Sequence, residues 1–123
     1  NILDPDNEYI TYRLFRDQCL QTNEGIFIKD LRIIANRHLE NMLIVDNATY
    51  SFGFQLENGI PVIPFYDSPQ DTELLDLMDY LRKLATQPDV RTINTKMFMY
   101  DLINHYCNDY DKLIDIVITS QAN

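Results

Sequence analysis

The sequence predicts an α/β fold, and three observations carry that prediction. Met42-Leu43-Ile44-Val45 is a continuous apolar run that stops at the polar pair Asp46-Asn47, the mark of a strand buried on both faces. Leu74, Leu77, Met78, Leu81 and Leu84 recur at helical spacing. Leu31, Ile34, Ala35 and His38 keep the same spacing between the apolar run and an earlier strand. With 46% hydrophobic residues in 123, the chain can build one modest core and has no room for a second domain of ordinary size. One domain, or one piece of a domain, is expected.

Taken in order, Tyr12-Arg13-Leu14-Phe15 reads as a short strand. Gln21 to Gly25 reads as the turn of a hairpin that returns through Ile26-Phe27-Ile28. Lys29 follows at once. Asp30 can cap a helix over about 30–40, with His38 on its face and Asn41 at its end. The strand at 42–45 comes next. Ile60 to Phe65 reads as another strand, but Pro61 and Pro64 cannot donate to a ladder, so it belongs at an edge. Ser68-Pro69-Gln70-Asp71 has the spacing of a helix start, and the stripe from Leu74 to Leu84 reads as core packing in a helix over 72–86 that ends before Pro88. Beyond it, Met99, Leu102, Ile103, Tyr106, Tyr110, Leu113, Ile114 and Val117 keep helical spacing, as one long amphipathic helix or a broken pair; Ile116 to Thr119 reads alternatively as a strand. This tail is expected to dock on the domain or on a second copy.

The longest purely aliphatic stretch is far short of the roughly 20 residues of a membrane-spanning helix, so no membrane segment is expected in this chain. The first residues carry no targeting pattern, and the start at Asn1 reads as a fragment edge. Cys19 and Cys107 have neither zinc-site spacing nor disulfide density, so a reducing intracellular compartment is the default; the sequence does not fix which one, with nucleus or cytoplasm favoured. Neither is a phosphotyrosine-phosphatase nucleophile, because that site needs Arg six residues on, where Gly25 and Leu113 stand. A formal charge of −9 argues against nucleic-acid binding. Residues 11–40 nevertheless balance at +1, leaving −10 for the remainder, so an anion has one locality to choose.

Lys29 and Asp46-Asn47 are separated by one predicted helix and one strand. Such a passage can return both to one edge of a sheet, where open α/β folds place their sites. Asp and Asn oxygens suit a hard ion such as Mg²⁺, and Lys is a compact charge for a phosphoryl oxygen. A surface lysine and an Asp-Asn turn explain the same residues.

Five blocks in order, Arg13-Leu14-Phe15-Arg16-Asp17-Gln18-Cys19, Ile28-Lys29-Asp30-Leu31, Leu43-Ile44-Val45-Asp46-Asn47, Phe52 to Pro64 and Asp71-Thr72-Glu73-Leu74, resemble the C-terminal half of a phosphatase family. The family is that of the small phosphatases acting on the C-terminal domain of RNA polymerase II and of their relative Dullard, within the haloacid dehalogenase superfamily. The resemblance runs from about Tyr9 to Arg91. It implies the C-terminal part of a haloacid-dehalogenase-like Rossmannoid three-layer fold over 1–91, followed by a helical tail over 92–123. It also implies an Mg²⁺-dependent protein serine/threonine phosphatase that acts on phosphoproteins through an aspartyl-phosphate. Lys29 then steadies the transferring phosphoryl group, and Asp46 with Asn47 forms the metal site, Asn47 being the direct ligand.

Two departures qualify this. The family usually continues Asp-Asn with Ser-Pro, where this chain has Ala48-Thr49. The nucleophile motif D-x-D-x-T/V is absent: Asp4-Pro5-Asp6 imitates it, but no hydroxyl residue follows, and only 25 residues separate Asp4 from Lys29. The chain alone is therefore expected to be inactive and to fold poorly unless its missing N-terminal half or a second copy supplies the absent strands. A binding module of the same fold, similar to the mitochondrial presequence import receptor, is the alternative that the resemblance implies.

Overall fold

The structure, a computed structural model, describes residues 2–107, the last nine as helix backbone alone. The first regular pairing is an antiparallel hairpin of β1 (Leu20–Gln21) and β2 (Phe27–Ile28), with Leu20 opposite Ile28. Its turn is closed by Thr22, whose carbonyl accepts from the Gly25 amide at 3.0 Å and whose hydroxyl accepts from the Ile26 amide at 3.1 Å. Gly25 sits at φ 81, a left-handed conformation that glycine adopts without a Cβ clash.

The hairpin is where the sequence places it, but the strand expected over 12–15 is not formed. Tyr12, Leu14 and Phe15 lie in irregular, exposed chain, and a 3₁₀ turn over Arg16–Gln18 precedes β1. The reason lies upstream. Asp4 is 2% exposed, and its carboxylate accepts from the amides of Glu8 and Ile10, both at 2.9 Å, and from the Arg13 guanidinium at 3.1 Å. These bonds shape 4–13 as a loop gathered round one carboxylate.

The helix expected over 30–40 is also absent. Two 3₁₀ turns, Leu31–Ile33 and Leu39–Asn41, stand in its place. Asp30 does cap the first, accepting from the Arg32 amide at 3.0 Å. Propagation fails because a ten-residue helix is marginal and the β-branched pair Ile33-Ile34 weakens it further. Groups from elsewhere bind the backbone at both ends: Gln55 takes the Leu31 N–H, and Asn58 takes the carbonyls of Leu39 and Met42. His38 accordingly lies just before the second turn, exposed, and not on a helix face.

The apolar run does form a strand. β3 (Ile44–Asp46) pairs in parallel with β4 (Gly59–Pro61), Ile44 opposite Gly59 and Asp46 opposite Pro61. Val45 remains 38% exposed, so β3 is not covered on both faces as its composition suggests. Among the described residues β4 pairs on one side only, as its proline requires. Two 3₁₀ turns, Thr49–Phe52 and Leu56–Asn58, carry the connection between them.

Two helices follow. α1 (Glu73–Leu84) buries Leu84 and half-buries Leu77 and Leu81, while Leu74 stays 65% exposed, so only the C-terminal part of the predicted stripe is core. α2 (Val90–Cys107) runs through position 92 without a break. Its Asn94, fully buried, donates to the carbonyls of Glu57 and Gly59 at 2.9 and 2.8 Å and accepts from the Tyr80 hydroxyl at 3.0 Å. Ile60, Leu84 and Val90 form the core on this side; Ile28 with Ile26, Tyr50, Phe54 and Leu56 forms a smaller one under the hairpin. The expected docking of Tyr110, Leu113, Ile114 and Val117 lies outside the described residues.

Gly59 and Asp4 generate two predictions. A Cβ on Gly59 would sit 2.1 Å from the ring of Phe52, which is fully buried and cannot swing away. Gly59→Ala should destabilise by about 1–3 kcal/mol or more, read as a lower urea midpoint with an unchanged m-value. For Asp4, the Ile10 amide bond is the largest influence and, opposed by burial, holds the carboxyl below its ordinary 3.8. A group so lowered contributes stability that is complete above that ordinary value and is lost as pH falls through the folded one. Protection of the Glu8 and Ile10 amides from hydrogen exchange should hold down to about pH 3.8 and collapse below it, whereas Asp4→Ala should abolish it at every pH.

Candidate functional site

Lys29 follows β2 directly, and Asp46 is the last residue of β3. The backbone N–H of Lys29 donates to the Ser51 carbonyl at 2.6 Å, which ties the end of the hairpin to the chain leaving β3. Lys29 Nζ then forms an ion pair and hydrogen bond with Asp46 Oδ2. The partners differ in exposure, 52% for the lysine and 8% for the aspartate, so the carboxylate is fixed in the wall while the ammonium faces water. The Ala48 amide donates to Asp46 Oδ1 at 2.8 Å and holds the carboxylate from its other side.

This pair borders a groove of about 640 Å³ lined on its apolar side by Leu14, Phe15, Phe27, Ile34, Ile44 and Tyr50. Arg16, which the sequence reading did not single out, lines the same groove with its guanidinium 4.9 Å from the Phe27 ring centroid, a cation–π distance. Its signal was present in the locally basic balance of 11–40. Asp30 also borders the groove; the Arg32 hydrogen bond, acting against partial burial, holds its carboxyl below the usual range.

The structure brings Lys29 and Asp46 together but places Asn47 elsewhere. Asn47 is exposed and borders a smaller cavity of about 290 Å³ with Val62, Pro64, Asp71 and Thr72. Asp4 lines neither cavity, and its carboxylate is taken up by backbone amides and Arg13, an arrangement that organises a loop and does not present a nucleophile. Among the described residues no group of three or more His, Cys, Asp or Glu side chains could hold a metal ion. Asp46 and Asn47 supply hard oxygens, and each Asp46 oxygen, with one hydrogen bond accepted in the structure, keeps a second lone pair. Asp46 by itself fits Mg²⁺, which binds through one or two protein groups and keeps several waters or phosphate oxygens, whereas Asn47 borders the other cavity and does not share that position. No helix among the described residues is long and apolar enough to cross a membrane.

Comparison with known proteins places the sequence in a family. The family model for NLI interacting factor-like phosphatases matches residues 1–91. CTD small phosphatase-like protein 2 of Dictyostelium discoideum is 42% identical over 105 residues, covering 85% of this chain and 18% of that protein. CTD small phosphatase-like protein 3 of Caenorhabditis elegans is 43% identical over 94 residues, covering 76% of this chain and 32% of that protein. The mitochondrial import inner membrane translocase subunit TIM50 of Kluyveromyces lactis is 45% identical over 93 residues, covering 74% and 19%. The chain thus spans less than a third of the length of these relatives. With the family model matching through Arg91, the chain belongs to the NLI interacting factor-like phosphatase family.

Proposed function

We propose that this chain is the lysine- and Asp-Asn-bearing part of an Mg²⁺-dependent protein serine/threonine phosphatase whose carboxylate nucleophile comes from residues outside the sequence. The observation that carries the reading is the Lys29–Asp46 pair beside a groove in a family of generally metal-dependent phosphatases. In the reaction, a carboxylate oxygen attacks phosphorus, the bond from phosphorus to the serine or threonine oxygen breaks as that oxygen takes a proton from water and leaves as the alcohol, and a second water later hydrolyses the aspartyl-phosphate to inorganic phosphate and the free carboxylate. Lys29, half in water, turns its ammonium to a phosphoryl oxygen and offsets charge there as the phosphoryl group transfers. Asp46 holds that ammonium in place from a fixed position in the wall. Asp46 would hold Mg²⁺, which would supply charge to orient the phosphoryl oxygens when bound; Asn47, the direct ligand that the family resemblance implies, borders the other cavity in this structure and would have to turn to reach the same ion. Arg16 adds a second cation to the groove for an anionic substrate. The haloacid-dehalogenase-like Rossmannoid frame, with 1–91 as its C-terminal part and 92–123 as an extension, belongs to the same proposal.

The likeness to TIM50 is compatible with a binding module but does not favour it, and the lysine held against a carboxylate at the groove supports the phosphatase reading. The test is phosphate release from a phosphoserine peptide. The 123-residue chain alone should release none. The longer protein carrying an upstream D-x-D-x-T/V should release it, stop when Mg²⁺ is chelated, and lose about 10²–10³-fold in kcat on Lys29→Ala or Asp46→Ala. Undiminished turnover in those variants, folded by circular dichroism, rejects the assignment.

A further inference from the structure

Lys29 is long and half-exposed, so its ion pair with Asp46 alone cannot fix the backbone from which it projects. That backbone is held by a buried side chain that neither the groove nor the ion pair contains. Gln55, in the connection between β3 and β4, is 7% exposed. Its Oε1 accepts from the Leu31 N–H at 3.0 Å, and its Nε2 donates to Asp30 Oδ1, also at 3.0 Å. Only one orientation of the carboxamide satisfies both, since the N–H needs an acceptor and the carboxylate a donor. Four residues earlier in the same connection, the Ser51 carbonyl accepts from the N–H of Lys29 itself. Lys29, Asp30 and Leu31 are therefore bound in succession to the chain that leaves Asp46.

From this geometry we infer that Gln55 is a positioning residue for Lys29, setting the turn that aims its ammonium along the groove beside Asp46. The inference rests on the proposed role of Lys29 in phosphoryl transfer. Removing the carboxamide leaves the N–H of buried Leu31 without its acceptor and takes one donor from Asp30, which keeps its fork with Arg32. The turn over Leu31–Ile33 then loses its tie to the connection, and the root of Lys29 is free to shift. A displacement of about 1 Å in a charge-stabilising group costs on the order of 100-fold in rate.

The experiment uses the longer phosphatase containing these residues, with Gln55→Met as a near-isosteric variant that removes both hydrogen bonds. The expected result is a fall in kcat of about 10- to 100-fold with KM held within about twofold, since the contact serves the transition state and not substrate binding. The Leu31 amide should lose its protection from hydrogen exchange. The deciding measurement is a double-mutant cycle with Lys29→Ala: a residue that acts through Lys29 adds no further loss once Lys29 is gone. Losses that multiply in the double variant, or undiminished kcat in folded Gln55→Met, overturn the inference while leaving the role of Lys29 intact. Undiminished kcat in Lys29→Ala instead removes the phosphatase reading on which it stands. Should Gln55→Met fail to fold, Gln55→Ala removes the same two hydrogen bonds without adding a charge beside Asp30, and the same cycle is read by the same criteria.

Discussion

The connection from β3 to β4 contains no α-helix, so many of its peptide groups and those of its neighbours must find partners outside regular structure. Buried carboxamides supply them. Gln55 takes the Leu31 amide, Asn58 reaches the carbonyls of Leu39 and Met42, and Asn94 reaches those of Glu57 and Gly59 from α2. A net gain of about 1 kcal/mol for each such bond is modest, but losing one partner leaves a buried group unsatisfied at about 1–3 kcal/mol. The asymmetry makes these side chains constraints on the fold more than contributors to its stability. With strands of two or three residues, ladder hydrogen bonds alone could not hold the arrangement.

The same connection joins the fold to its site. It begins immediately after the Asp46-Asn47 pair, and its first turn places the Ser51 carbonyl against Lys29 and the Phe52 ring against Gly59. The absence of a Cβ at Gly59 lets the ring lie on the backbone of β4, which sets how closely the connection folds back on the strand it enters. The same turn thus ties Lys29 through Ser51 and packs Phe52 on Gly59, although neither Phe52 nor Gly59 lines the groove.

Electrostatics follows locality more than total charge. The protein carries −9, yet the groove beside Lys29 is also lined by Arg16, and Asp30 and Asp46 on its wall are both engaged by cations of this chain. An anion entering it meets two cations within the screening length, whereas much of the remaining negative charge lies outside the groove. Asp4, a carboxylate of equal formal charge, is held by amides and Arg13 of its own loop. Three carboxylates thus have three roles, each set by the donors around it.

By itself the sequence determined what short-range pattern can encode: the turn at Gln21 to Gly25, a strand ending at Asp46, the helix α1, and the place of Lys29 directly after the returning strand of the hairpin. Tertiary structure decided the rest. The stretch 30–40 has helical spacing but is two 3₁₀ turns, because Gln55 and Asn58, 24 and 19 residues from their partners Leu31 and Leu39, capture its backbone groups. Tyr12 to Phe15 has strand composition but no strand, because a pattern of side chains does not supply a neighbour with free peptide groups. Asn47 follows Asp46 in sequence yet borders the other cavity, since successive residues at a strand end point to opposite faces. Gln55 was not legible for a related reason, and Arg16 was legible only as part of a basic stretch: a buried amide and a stacked guanidinium take their meaning from what lies across from them, and the linear order of residues does not carry that.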